Sequence, residues 1–261
     1  MKLKWYGTAT ILLEQDGTRL LFDPFFPLND KRYKPPAAEL ASADAVLVTH
    51  GHFDHITGIP DIMKRSGGKA RVYCTEQPRN VLIARGVEES QIQRIEPGDD
   101  LNFGPFDVRV LKGKHIVYDK WLIVRKLLNP RIVPHRSNLR YILNEKKICL
   151  EAGETVIYDI RAAEKRILLM GSLNTDDAEE CPKGVDLFIL PFQGRTDIRQ
   201  YAMSFVERLQ PEKVLLFHFD DTFPPVSAPV RTDRFLSQMR QRYPGIPVIC
   251  REPGAEWIEF D

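Results

Sequence analysis

The stretch Ala45 to Gly58, AVLVTHGHFDHITG, constrains what this chain can fold into more than any other. Ala45 to Val48 is wholly apolar, as in a strand buried on both faces, and polarity changes abruptly at Thr49. His50, His52, Asp54 and His55 follow within six residues, and half of the chain's six histidines lie here. Imidazole is a common ligand for borderline metals such as zinc, and carboxylate oxygen suits zinc, iron and manganese. In a turn leaving a strand, this spacing lets His50 and His52 converge on one ion while Asp54 and His55 face a second position. A lone histidine in such a place is most often structural. Four donors in HxHxDH order after a buried strand specify a metal site.

Around this stretch the chain reads as strands and helices in two similar runs. LKWY, ATILLEQ and TRLLFD form three early strands, and Pro24 and Pro27 open a loop that ends at Pro36. Phe25 and Phe26 stand in that loop, either covering a sheet end or walling a substrate cleft. Ile56 to Lys64 is expected as one helix with Pro60 in its first turns, then KARVYCT as a strand. QPRNVLIARG reads as a helix, QIQRIEP as a short strand and DDLNFGPFDVRVLKG as a hairpin. In the second half YILNEKKICLE reads as a hairpin around Asn144 to Lys146. TVIYDI, KRILLMG, DLFILPF and KVLLFHF read as strands, with helices over Ile198 to Leu209 and Arg231 to Arg242. IPVICREPG and the strand EWIEF close the chain. Strands separated by single helices, then hairpins, suggest sheets covered by helices on their outer faces. The expected class is α+β, one sandwich of two sheets in a single domain over residues 1–261.

Composition narrows the functional classes. With 37 basic against 36 acidic side chains the formal charge is +1, which leaves no overall nucleic-acid footprint. Nucleic acid is therefore not the expected partner; a small molecule is. One segment departs from the average: from Lys112 to Arg140 eight Lys or Arg face the single acid Asp119, with Tyr118 and Trp121 interleaved. It reads either as a site for an anionic substrate or as a solvated surface insertion. Lys112, Lys114 and Arg136 are the candidate substrate contacts. No apolar run approaches membrane-spanning length, and the charged opening residues do not read as a signal peptide. Cys74, Cys149, Cys181 and Cys250 are scattered, with no CxxC pair, so free thiols in a reducing cytoplasm are expected.

The motif also carries a resemblance. THGHFDH resembles the THxHxDH signature of the metallo-beta-lactamase fold superfamily. LLFDPF (Leu20 to Phe25) is similar to that family's early strand, and YDIRAAEKRILLMGS, DLFILPFQG and KVLLFHFDD follow the order of its later strands. The style is closest to the branch of small hydrolases that includes the ascorbate-phosphate lactonase type, and the resemblance covers essentially the whole chain. It implies a four-layer αββα sandwich and a centre of one or two ions, zinc first, with manganese or iron as alternatives. It implies that His218 is the final metal histidine, beside Asp54 and His55. It also matches His115 to the histidine that joins His50 and His52. On residue chemistry alone His135 competes with His115, although a strand end holds a ligand more firmly than a long loop. Asp23 matches the aspartate that supports the metal histidines through a second ring nitrogen. A turn-capping or ion-pair role is the alternative.

One position departs from the family pattern. Relatives usually carry Gly-Asp after the ILLM-type strand, and that aspartate bridges the two metals. Here Ser172 follows Gly171, and a neutral hydroxyl is a weak ligand that removes one negative charge from between two cations. Asp176 and Asp177 are the nearest carboxylates able to replace it. The expected chemistry is attack by a metal-bound water, oriented by Asp54, on a small ester, lactone or amide substrate, which the basic segment would allow to be anionic. A phosphodiesterase or nuclease, or a metal-binding relative with little catalysis, is the rival reading.

Overall fold

The computed structural model describes residues 1–176 and 181–260, apart from the side chains of Ile123, Arg125, Lys126 and Leu127. The chain first runs through β1 (Lys2–Trp5), β2 (Ile11–Gln15), β3 (Thr18–Phe22), β4 (Ala45–Leu47), β5 (Arg71–Cys74) and β6 (Ile92–Arg94). It continues through β7 (Asp100–Phe103), β8 (Phe106–Lys112), β9 (Val156–Ala162), β10 (Lys165–Met170), β11 (Leu187–Pro191), β12 (Val214–Phe217) and β13 (Val248–Ile249). A last strand, β14 (Ile258–Glu259), returns to pair with β1. Two sheets of seven strands result, ordered β14-β1-β2-β3-β4-β5-β6 and β13-β12-β11-β10-β9-β8-β7. Each sheet is antiparallel at its hairpins and becomes parallel afterwards, from β3 to β6 in one and from β10 to β13 in the other. The similar run of elements in the two halves is thus a real architectural repeat.

Alternation of side chains across each strand builds the layers. Ala45 and Leu47 of β4 point between the sheets, where they join Val108 and Val110 of β8 and Leu215 and Phe217 of β12. Val46 points outward, under the helices α1 (Ala37–Leu40), α2 (Phe53–Ile56), α3 (Ile59–Ser66) and α4 (Glu76–Ala84). Between the halves the chain forms α5 (Lys120–Leu127) and α6 (Arg136–Glu145). Val214 and Leu216 face the other outer layer, α7 (Ile198–Leu209) and α8 (Asp233–Arg242). Helices, sheet, sheet, helices is the four-layer sandwich expected, and α7 takes the expected bounds.

Two local expectations are corrected. The helix expected over Ile56 to Lys64 is broken into α2 and α3, because the Gly58 N–H donates to the Pro24 carbonyl at 3.1 Å. A Cβ on Gly58 would stand 2.6 Å from that same oxygen, so the approach requires glycine. The hairpin expected over Tyr141 to Glu151 is instead the end of α6. The turn exists, with Lys146 N–H donating to Ile142 O and Cys149 N–H to Glu145 O, but it closes a helix. Ile142 is buried in the layer outside β4, and that anchorage decides between two readings of a short apolar run. Cys74 and Cys149 are buried thiols and Cys250 is partly buried, with no disulfide among them.

Candidate metal centre

The predicted donors converge because they all follow the carboxyl ends of strands. Asp23 follows β3, the histidine turn follows β4, His115 follows β8, Ser172 follows β10 and His218 follows β12. His50, His52 and His115 each offer one ring nitrogen, and the three atoms lie within 4.8 Å of one another. Asp54, His55 and His218 form a second such group. The two groups touch: the His50 and His55 ring centroids are 3.9 Å apart. His135 belongs to neither group.

Behind the histidines sits Asp23, fully buried and held at a positive φ of 44°. Its Oδ1 accepts the Thr49 N–H at 2.7 Å, and its Oδ2 accepts the Thr49 hydroxyl at 2.6 Å. The same Oδ2 lies 2.8 Å from Nδ1 of His55. A carboxylate only accepts, so His55 carries its proton on Nδ1 and presents the Nε2 lone pair forward. Thr49 has already given its one hydroxyl proton to Asp23, so at 3.0 Å from His50 Nδ1 it accepts. His50 therefore also presents an Nε2 lone pair, and that atom is buried with no hydrogen-bond partner among the described residues. His115 is set alike, donating Nδ1–H to the Ile116 carbonyl at 2.8 Å. Orphaned imidazole nitrogens aimed at one another are costly alone and suit a cation.

The electrostatics agree with a ligand role. Burial and the surrounding imidazoles hold His50 well below its ordinary value. Burial and His115 bring His52 down to about 4, and burial lowers His115. These three rings are neutral, the ligating form, at pH 7. For Asp54, burial pushes upward, but the hydrogen bond to His218 and the nearby His55 and His218 outweigh it and hold the carboxyl below the usual range. Burial lowers His55, yet the charge and hydrogen bond of Asp23 overcome it and raise the ring.

The two groups open on a cavity of about 50 Å³, lined also by Ile116, Tyr118, Ser172 and Gln193. Ser172 is buried, and its Oγ accepts the Ile116 N–H at 2.9 Å. Asp176 faces Lys114 at 3.2 Å and Lys112 at 3.5 Å, so these lysines neutralise a carboxylate and do not line the cavity. Asp177 lies outside the described residues. Arg136 is exposed at the start of α6 and does not line the cavity either. Sequence reasoning missed Thr49 as the link between Asp23 and His50, and Gln193, whose buried Oε1 has no hydrogen-bond partner among the described residues. It also missed the reason for Gly171: a Cβ there would lie 1.9 Å from the Thr49 hydroxyl. Gln193 shared the one available signal, a polar residue just after a buried strand.

Known proteins resemble this chain in sequence and in fold. The family model described as a beta-lactamase superfamily domain matches residues 18–219. A UPF0173 metal-dependent hydrolase of Methanopyrus kandleri is 26% identical over 98% of this chain and 99% of its own length. Another UPF0173 metal-dependent hydrolase, from Carboxydothermus hydrogenoformans, is 28% identical over 97% of this chain and 98% of its own. Among solved structures, the metallo hydrolase Igni18 of Ignicoccus hospitalis superposes with a TM-score of 0.63 at 20% identity, covering 100% of this chain and 99% of that one. At that identity the likeness speaks for the fold.

Proposed function

This chain belongs to the beta-lactamase superfamily and is a metal-dependent hydrolase, and from that premise we propose a two-position zinc centre acting on a small ester, lactone or amide. His50, His52 and His115 would hold one ion, and Asp54, His55 and His218 the other. The observation that carries this reading is the pair of three-donor groups, with His50 Nε2 of the first buried and without a hydrogen-bond partner among the described residues. A bound ion would supply an acidified water near neutral pH and polarise the electrophilic oxygen. Asp23 and Thr49 keep the His50 and His55 tautomers ready for ligation. Asp54, the one carboxylate among the six donors, orients the attacking group, and no serine or cysteine nucleophile is needed. Gln193 and Tyr118, lining the cavity, are placed to contact substrate. The cavity is small beside the ~300–1,000 Å³ of drug-sized sites, so it admits the reacting group and leaves the rest of a substrate outside.

Metal analysis of untagged protein by plasma mass spectrometry tests the centre. At least one equivalent of zinc is expected; less than about 0.2 equivalents after metal-replete growth would overturn it, since such ligand sets bind tightly. The His50→Ala, His52→Ala double variant is expected to lose most of its metal. A panel of esters, lactones, amides and phosphodiesters, with chelation and metal add-back, tests the reaction.

Ser172 makes the two positions unequal in this proposal. Its hydroxyl is engaged by the Ile116 N–H, and Asp176 is engaged by lysines, so neither supplies a bridging charge. Without a shared carboxylate more cation–cation repulsion remains. Zinc titration of apoprotein is expected to give one tight and one weaker step, and Ser172→Asp is expected to tighten the weaker one. Two equal tight steps in the wild type would show that the bridging charge is not missed.

A further inference from the structure

The segment that stands out in sequence as basic is also apolar on its outside. All ten large hydrophobic side chains that are exposed among the described residues fall between Val117 and Leu150. Trp121 is 74% exposed, Leu128 77% and Val133 78%. Trp121, Val124 and Leu128 recur at i, i+3 and i+7, which sets them along one side of α5 and its final turn. From Lys114 to Leu150 the sequence has nine Lys or Arg against two acids, in a chain whose formal charge is only +1. Lys120, Arg136, Arg140, Lys146 and Lys147 are exposed. Glu145, the acid nearest the last two, is paired with Arg85 instead.

This surface frames the mouth of the metal centre. It departs from His115, and its residues Ile116 and Tyr118 line the cavity. It returns where the Leu150 carbonyl sits against Gly51, between His50 and His52; a Cβ on Gly51 would be 2.2 Å from that oxygen. It is tied down in between. Arg131 Nη2 donates to Asp221 at 2.6 Å, Asn129 Nδ2 to the Pro225 carbonyl at 2.9 Å and Asn138 Nδ2 to the Leu28 carbonyl at 3.2 Å.

We propose that the Val117–Leu150 face docks on an anionic lipid surface, with the cavity mouth turned toward the lipid. Such a surface offers phosphate or carboxylate charge above an apolar layer, which matches Lys and Arg interleaved with Trp, Val and Leu. A second copy across a two-fold axis would set this basic face against itself. A nucleic acid would satisfy the charge but leave Leu128 and Val133 in water. No helix of the described residues is long and apolar enough to cross a membrane, so the attachment is peripheral. The docking stands independently of which bond is cleaved or which metal is bound.

Co-sedimentation of the metal-loaded protein with vesicles of phosphatidylcholine, alone or mixed with phosphatidylglycerol, tests it. Binding to the mixed vesicles is expected to be at least about 10-fold tighter, since each basic residue near an anionic surface adds attraction. It is expected to weaken with salt and to shift tryptophan emission to the blue. Trp121→Ser with Leu128→Ser should abolish pelleting without altering metal content or melting temperature, because both side chains are exposed. Lys146→Glu with Lys147→Glu should remove the preference for anionic vesicles. No anionic preference in the wild type, or pelleting unchanged in both variants, overturns the proposal. So does a wild-type dimer that the Trp121→Ser, Leu128→Ser variant dissociates, or oligonucleotide binding, where vesicles do not bind.

Discussion

Asp54→Ala is expected to lower kcat/KM by on the order of 10³-fold, within the range carried by a positioned acid–base group. The carboxylate is buried, and its Oδ2 lies 3.5 Å from His218 Nε2 and 4.0 Å from His55 Nε2. Removing it takes the only negative charge from its group of three donors. One metal position should then empty while His50, His52 and His115 keep theirs, so metal content should fall but not vanish. Asp54→Asn keeps the shape and loses the charge, and it should behave like the alanine variant if charge is what matters. Steady-state kinetics on whichever substrate the panel identifies, with metal analysis and a melting curve on the same samples, make the check. Turnover within about tenfold of wild type would mean that Asp54 neither holds an ion nor orients the attacking group.

The second large effect is on stability. Asp23→Ala is expected to cost about 3–5 kcal/mol, because three buried donors lose their acceptor at roughly 1–3 kcal/mol each. The loss strands the Thr49 N–H, the Thr49 hydroxyl and the His55 Nδ1–H together in a fully buried place. Alanine also fits poorly at a φ of 44°, a strain of roughly 1–2 kcal/mol. Asp23→Asn separates packing from tautomer control. Asparagine tolerates the backbone, but its amide donates where His55 also donates, so His55 must move its proton to Nε2. Metal affinity should fall about 10–100-fold, as for other carboxylates that orient metal histidines. Urea denaturation of apoprotein and zinc titration read the two effects separately. An Asp23→Asn protein with undiminished metal affinity would leave Asp23 a purely structural residue.

These two residues mark how differently parts of the site were legible. Asp54 belongs to a motif whose meaning is local, because a strand end followed by HxHxDH can converge its donors without knowledge of the rest of the chain. Asp23 needed a family resemblance to be singled out, and its actual work through Thr49 became visible only when β3 and β4 lay side by side in register. His115 and His218 were singled out by the same resemblance, and they fall one in each of the two donor groups. Gln193 stands at a strand end as well, but an amide has no ligand chemistry to draw notice in a sequence.

What the sequence by itself determined were the features set by short-range periodicity and spacing. Alternating apolar residues dictated which strands are buried, the pattern from Ile198 to Leu209 dictated α7, and the histidine turn dictated where donors gather. The tertiary structure decided whatever depended on partners distant in the chain. Lys112 and Lys114 read as candidate contacts for an anionic substrate, yet the bridge between Gly113 and Thr175 brings Asp176 to them. Ser172 read as a weak ligand at the bridging position, yet its hydroxyl accepts the Ile116 N–H. Tyr141 to Glu151 read as a hairpin, yet burial of Ile142 over the first sheet held its opening residues in a helix. The physical reason is the same in each case. Local conformation follows from each residue's neighbours along the chain, whereas the state of a charge or hydroxyl follows from groups that only the packed sheets bring within hydrogen-bonding distance.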